Sequence, residues 1–518
     1  MGQDTSGLRI GWAATDVTPE RPVLVSGQFH ARVSEGVMDP VTATALALES
    51  EGTGPAFGPV PLARGQAPAQ RRAGASPPAS PPRAVMVSCD FVAIPNGLRE
   101  EVRNQVRQRL PELDPLTVFL NATHTHAGPE VRVEGDAAQM GGGNVPTWPG
   151  VDLEVMSSAD YVAFASKRIA EAVERAWKGR EPGGIGFGMG HAVVGHNRRI
   201  SYYSGETRMY GKTDDPEFSH VEGYEDHSVN VLGTWNKARR LTGVVVNVAC
   251  PSQVSESSYL ISADYWHEVR VELRRRLGAD LFVLAQNSAA GDQSPHILIG
   301  KRAEERMWRL VGRSQRQDIG VRVADAVAAV VPHVEKEVDW NPRFAHRVEM
   351  VPLLRRNLTE QDAKDALAEA AKLREQYEAL RRDLEAHPEK RREPRWYVGI
   401  TAAYRKMKWN ESVATRFDLG RAQPKVPVEI HVMRLGDVAL ATNPFEYYLD
   451  FGMQIKARSK AVQTFLVQHV GSGAYVPTLR ATAGRSYGAI PASTPVGSEG
   501  GRELAQWTVD AINALWGE

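Results

Sequence analysis

Three times along this sequence an apolar run is followed by a helical stretch and then by a second apolar run. The second run each time enters a loop of small residues closed by proline. "AVMVSCD" leads through "LREEVRNQVRQRL" to "LTVFLNATHTHAGP"; "GVVVNVACPSQ" leads through "YWHEVRVELRRRLG" to "LFVLAQNSAAGDQSP"; "DVALATNPFE" leads through "YYLDFGMQIKARSK" to "TFLVQHVGSGAYVP". If the two strands of each unit are parallel, the connection between them is a right-handed crossover. The expected class is α/β, with mixed sheets built from these units, flanking helices, and an active site at the strand carboxyl ends, where such sheets bind ligands. The residues at those ends include Asp90, His124, His126, Cys250, Gln253, Asp292, Ser294, Glu446 and Tyr475. Ligand, nucleophile and acid–base types are thus gathered by topology from distant positions.

Composition narrows the function. Lys+Arg and Asp+Glu balance at 62 each, so there is no electrostatic case for nucleic acid or an anionic membrane as the main partner. The two cysteines, Cys89 and Cys250, close apolar stretches and read as buried free thiols. No apolar run approaches a membrane span of ~20 residues, and "MGQDTSGLRIGW" lacks the basic and apolar regions of a signal peptide. The expected location is cytoplasmic, or secreted or periplasmic with a signal already removed. One domain is expected over residues 1–518, interrupted by a Pro/Ala-rich disordered loop at 51–84 and a helical insertion at 358–393. In the insertion, Ala363, Leu367, Ala370, Leu373, Tyr377, Leu380 and Leu384 fall at three- and four-residue steps, the stripe of a one-sided helix.

The stretch "LNATHTHAGPE" holds the densest chemistry. Alternate residues of a strand point to one face, so His124 and His126 can hold one ion from neighbouring directions. An HxH pair by itself is a weak signal, and Glu446 and Tyr475 at other strand ends strengthen it. "GDQSP" reads from its residues as a turn in which Asp292 caps backbone amides.

Together "ATDVTP", "VSCD", "ATHTHAGP", "NRR", "ISAD", "GDQSP", "NPFE" and "AYVPT", in this order, resemble the catalytic region of the neutral, non-lysosomal ceramidases. The resemblance implies a catalytic zinc held by His124, His126, Glu446 and Tyr475, with Ser294 of "GDQSP" as nucleophile. It also implies a third histidine, in a His-Pro-Thr-like stretch. Here the matching segment is "NVACPSQVSE", with Pro251 at the aligned position. "HSVNVLGTW" and "TGVVVNVAC" form a predicted hairpin; pairing residue 235 with 243 places His227 opposite Pro251, as the replacement ligand. Gln253, Cys250 and, more distantly, His267 are rivals. The ceramidases carry a further C-terminal β domain, whereas this sequence closes on an amphipathic helix, "GRELAQWTVDAINALWGE".

The expected function is a zinc-dependent hydrolase of an amide C–N bond acting on a small-molecule or lipid amide. Zinc would lower the pKa of bound water toward ~7 and polarise the carbonyl. Tyr475 would donate to the oxyanion or stay a ligand, and Ser294 would attack or orient the carbonyl. Gln253, Asp292, Arg198 and Arg199 are candidate substrate-binding residues, the arginines for an acidic or hydroxylated group. Two alternatives remain: an esterase or other metal hydrolase, and a non-catalytic binding protein that keeps the fold.

Overall fold

The computed structural model describes residues 7–50, 81–136 and 146–517. Most of the Pro/Ala-rich stretch at 51–84 therefore lies outside the described residues. The backbone is organised around two sheets. Along the eight-stranded one the order is Phe282–Asn287, Leu241–Val248, Ser228–Asn236, Glu181–His191, Leu8–Asp16, Thr42–Ser50, Arg83–Cys89, Val118–Ala122. The four-stranded one runs Phe344–Leu354, Lys425–Leu435, Val438–Thr442, Gln463–Val467.

Each of the three repeated units is built as a parallel pair: Arg83–Cys89 with Val118–Ala122, Leu241–Val248 with Phe282–Asn287, and Val438–Thr442 with Gln463–Val467. The remaining pairs within the two sheets are antiparallel. The fold class is thus the expected mixed α/β.

Period-two alternation divides the strands' apolar residues between two cores. Met86, Leu46, Phe119, Val245 and Leu284 face the layer between the sheets, where they meet Phe344, Met433, Leu440 and Phe465. Val85, Val87 and Leu120 point the other way, onto the helices Asn96–Arg109 and Ser158–Lys178. Val244, Val246 and Val283 likewise face Tyr265–Leu277 and Gln315–Val334. Leu449–Arg458 and Ser498–Ala514 cover the outer face of the smaller sheet. The layers therefore run helix, sheet, sheet, helix, which is why the strands are apolar on both faces.

The larger sheet curls until its two outer strands meet. Ser88 Oγ and Asn121 Nδ2 both donate to the Ala285 carbonyl, at 2.7 and 2.9 Å. Beyond the strand ends, Asn287 Nδ2 and Ser252 Oγ donate to Thr123 O, Ala122 N–H to His469 O, and Gln468 N–H to Asn287 O. These bonds draw the carboxyl ends of all three units to one place. The curl brings the first two units together, and the packing of the smaller sheet on the larger one adds the third.

The hairpin of Ser228–Asn236 with Leu241–Val248 forms, but its register differs from the expected one. Thr234, not Trp235, faces Gly243, and a bulge follows, so that Trp235 pairs with Leu241. The bulge takes up the extra residue and shifts every upstream pairing by one position.

The charged stretch from residue 358 forms the helix Glu360–Ala386, and a second helix, Val398–Ala422, packs on it. Tyr377, Leu384, Ile400 and Ala403 meet there beside Leu24 and Ala31. Leu367, which continues the apolar stripe, is exposed. The second helix was not anticipated, and it delivers Trp409 to the candidate site.

Candidate active site

A cavity of about 170 Å³ opens where the strand ends converge, and His124, His126, His469, Glu446 and Tyr475 line its floor. The two-residue strands Glu446–Tyr447 and Tyr475–Val476 run parallel and put Glu446 beside Tyr475. His124 and His469 each stand two residues past the end of the second strand of a unit. Both have left-handed backbones, φ 57° and 60°, a conformation that non-glycine residues hold only where surrounding structure enforces it. Their rings stack with centroids 4.1 Å apart and planes 9° from parallel.

Hydrogen-bond partners fix the tautomers. His124 Nδ1 lies 2.6 Å from the Val92 carbonyl, so it carries the proton and Nε2 is a lone pair. Arg198 Nη1 donates to Gln253 Oε1 at 3.2 Å, which turns the Gln253 amide NH₂ toward His126 Nε2, 2.8 Å away. His126 Nε2 is then an acceptor too. The two Nε2 atoms face each other at 3.2 Å. That is close to the spacing, about 3.3 Å, of two imidazole nitrogens ~2.0–2.1 Å from one tetrahedral zinc. The single lone pair of His126 Nε2 accepts from Gln253 here, so a cation between the two nitrogens would take the place of that hydrogen bond; with it displaced, the imidazole pair fits a metal. The fit is of a pair: among the described residues no three His, Cys, Asp or Glu side chains form a ready metal cluster. The nearest carboxylate oxygen, Glu446 Oε2, lies 3.7 Å from His124 Nε2.

Burial sets the charge states. It lowers His124 to about 3 and drives His126 and His469 well below the usual histidine value, with neighbouring charges adding to this for both. All three are neutral, the form in which imidazole binds metal. Burial raises Glu446 to about 7 against the opposing charge of Arg198, and holds Tyr475 well above an ordinary phenol.

Arg198, itself buried, ties these groups together. Nη1 reaches Tyr210 Oη (2.7 Å) as well as Gln253, and Nη2 reaches Gly291 O (2.9 Å) and Tyr475 Oη (3.3 Å). Glu446 Oε2 is 3.8 Å away.

Comparison with solved structures now places the architecture. A ceramidase complexed with C2 matches with TM-score 0.65 at 16% identity, over 99% of this chain and 76% of that one. The neutral ceramidase from Pseudomonas aeruginosa matches with TM-score 0.63 at 16% identity, over 98% and 74%. The fold is that of the ceramidases. No family model and no curated protein matches the sequence.

Within this ceramidase fold the sequence-derived candidates divide. His124, His126, Glu446 and Tyr475 come together, and Gln253 and Arg198 join them through hydrogen bonds. His227 does not. Its Nε2 lies 3.2 Å from Glu225, and its ring is not among those lining the cavity. The bulged register accounts for this, since a one-residue slip turns a strand's side chains to the other face. Of its rivals, Cys250 is a buried thiol pushed up by burial, and Gln253 is the one that reaches His126. A third imidazole, that of His469, also lines the cavity, stacked on His124 with its Nε2 bonded to Gln468 Nε2 at 2.9 Å; it was missed because it lies in a different unit from the vacant family position. Its signal was present: in "FLVQH" it repeats the offset of His124 from its strand end.

Asp292 is a structural acceptor, taking the Leu449 N–H at 2.9 Å and Asn197 Nδ2 at 3.1 Å. Arg199 pairs with Glu222 at 2.8 Å and bonds the Ala481 and Arg485 carbonyls, bracing the chain that leads to Tyr487. Neither lines the cavity. Asp90 is likewise spent, on a buried two-point pair with Arg270 at 2.8 and 2.9 Å. Ser294 is fully buried. Its Oγ lies 3.3 Å from His296 Nδ1, and His296 Nε2 lies 3.1 Å from Glu256. Neither His296 nor Glu256 was anticipated from the sequence.

Proposed function

We propose that this chain is a metal-dependent hydrolase of an amide bond, of the ceramidase kind, acting on a lipid or smaller amide. The observation that carries the reading is the pair of opposed, neutral imidazole nitrogens beside Glu446 and Tyr475, at the floor of a cavity on a ceramidase fold. His124 and His126 would hold the ion, most suitably zinc, with Glu446 as the further ligand, which leaves the Tyr475 hydroxyl free to act as a donor. Bound zinc supplies a water with a pKa near ~7 and polarises the scissile carbonyl.

The chain's own groups supply the rest. Val92 O fixes the His124 tautomer, the outer hydrogen bond on which ligand orientation depends. The Tyr475 hydroxyl, anchored by Arg198, is aimed to donate to the oxygen that becomes negative as the carbonyl is attacked. Arg198 adds positive charge to that end of the cavity. Tyr487, Trp409 and Phe29 form an aromatic wall, with Tyr475–Tyr487 centroids at 5.4 Å and Phe29–Trp409 at 5.0 Å, suited to an apolar portion of the substrate.

One observation favours a second reading, in which Ser294 attacks. The row Ser294, His296, Glu256 has the order of nucleophile, base and orienting carboxylate. Against it, Ser294 does not line the cavity; Arg198 connects it indirectly through Tyr210. In that arrangement Ser294 positions Tyr210 and Arg198 instead of attacking.

The test is a panel of N-acyl amides and matched esters assayed before and after chelation. Amide turnover that is lost on chelation and restored by zinc supports the reading. Chelator-resistant turnover with a burst of acyl-enzyme would transfer the chemistry to Ser294. No turnover of any member would favour the non-catalytic alternative.

A further inference from the structure

The cavity over the histidine floor is small. It encloses about 170 Å³, whereas pockets for drug-sized ligands run to ~300–1,000 Å³. An apolar protein cavity of ~150 Å³ holds one benzene ring, which is roughly six heavy atoms. The carbon, oxygen and nitrogen of a scissile amide take half of that room, so roughly three or four carbons more can enter.

Three rings set the limit. Phe29, Trp409 and Tyr487 all line the cavity. Their centroids stand 5.0 Å (Phe29–Trp409), 6.0 Å (Trp409–Tyr487) and 6.1 Å (Phe29–Tyr487) apart. Rings at these separations touch, and a triangle of touching rings leaves no passage for an alkyl chain. The wall also stands against the reacting end, since Tyr487 packs on Tyr475 at 5.4 Å.

Each ring is braced from behind. Trp409 packs with Ala366 of the helix Glu360–Ala386, with Val413 of its own helix, and with Ala492. Arg416 ties that second helix to the Pro491 and Ala492 carbonyls at 3.0 and 3.2 Å. The segment bearing Phe29 is held to the same helix by the Ala31 N–H, which donates to Thr401 Oγ1 at 3.0 Å. Arg199 holds the chain leading to Tyr487 through the Ala481 and Arg485 carbonyls. Side chains braced in this way yield to an oversized ligand only at a cost.

We propose that Trp409 is the residue that limits substrate size, with Phe29 and Tyr487 completing its wall. The preferred amide then carries no more than about four carbons on one side of the scissile bond, as the volume allows. Any longer chain lies on the other side and leaves through the opening. This deepens the amide-hydrolase reading and rests on it.

Two series of amides, each kept below its micelle concentration, test it. N-acylethanolamines from acetyl to palmitoyl lengthen the acyl side, and N-acetylalkylamines from methyl to dodecyl lengthen the amine side. In wild type, kcat/KM in one series should fall about 10-fold or more beyond roughly four carbons, the penalty for chain that a pocket cannot seat. The series that breaks identifies the side that faces Trp409. Trp409→Ala should carry the break to longer chains and raise the long-to-short ratio of kcat/KM in that series about 10- to 100-fold. Trp409→Phe should give an intermediate break. Phe29→Ala, on a different element, should shift the break in the same direction, and it stands in if Trp409→Ala does not fold.

A wild type in which neither series breaks overturns the proposal and leaves the hydrolase reading standing. A break that stays at the same length in both alanine variants, or equal losses at every length, also overturns it. If no amide is hydrolysed, calorimetric titration with the same amides decides. A length break in affinity that Trp409→Ala relieves keeps the wall and sinks the hydrolase. Affinity that rises with chain length in both series, or no binding at all, sinks both.

Discussion

Arg198→Lys keeps the positive charge at the centre of the site and removes the planar fork that distributes it. The guanidinium serves four acceptors at 2.7 to 3.3 Å, two from each terminal nitrogen. A single ammonium nitrogen on a shorter reach cannot occupy both positions. At least two of Tyr210 Oη, Gln253 Oε1, Gly291 O and Tyr475 Oη then lose their donor inside the protein. Each unmet buried group costs about 1–3 kcal/mol, so the variant should be destabilised by roughly 2–6 kcal/mol. That is a large fraction of a total of about 5–15 kcal/mol. The kinetic consequence is separable. Tyr475 and Gln253 lose their common anchor, and with them go the oxyanion donor and the amide that faces His126. Turnover of an N-acyl amide should fall by ~10²–10³-fold, the effect of losing one preorganised oxyanion donor. The assays are urea denaturation and steady-state kinetics, the latter at a temperature where the variant is fully folded. An Arg198→Lys protein within roughly threefold of wild-type kcat/KM and with an unchanged denaturation midpoint would refute the reasoning.

Three further outcomes are expected. Protein prepared without chelator should carry one zinc per chain by elemental analysis, and the double change His124→Ala, His126→Ala should abolish it; a zinc-free wild type after supplementation would end the metal reading. Ser294 acts through Tyr210 and Arg198, so Ser294→Ala should lower kcat by only about 10-fold with zinc content unchanged, whereas a loss of ~10²–10³-fold, the effect of removing a group that touches the carbonyl, would favour the reading in which Ser294 attacks or orients it. Asp292 is raised by burial to about 6, above its unfolded value of ~3.9. Its carboxylate form is therefore penalised in the fold: wild-type stability falls as pH rises from ~4 to ~6, and the full penalty, about 3 kcal/mol, applies above that. Asp292→Asn should gain on wild type across this window, measured as the difference in urea midpoints, and a pH-independent difference would show that Asp292 does not titrate there.

Much of this architecture was legible in local sequence. Runs such as "AVMVSC" and "GVVVNVAC" alternate between two buried faces, and strands of that kind belong between layers of helix and sheet. The three strand–helix–strand units followed from period, and the structure makes each pair parallel; His124 and His126 meet beyond the strand end, where the left-handed backbone at His124 and not strand alternation sets their rings together. Asp292 reads correctly as a capping residue from its turn and incorrectly as a substrate group from its neighbours. The roles of Asp90 and Arg199 needed their partners, Arg270 and Glu222, which are remote in the chain.

What tertiary structure decided is the site's actual membership. A hairpin register depends on the few residues of its turn, and the bulge after Thr234 moved His227 off the site without leaving a mark in the apolar pattern. His469 joined the cavity because the smaller sheet packs on the larger one and sets the end of Gln463–Val467 against the end of Val118–Ala122, a contact between two separate sheets. Periodicity is written in neighbouring residues, so the sequence alone determined the elements and their buried faces. Which side chains share a cavity depends on contacts between residues hundreds of positions apart, and those exist only once the sheets have closed.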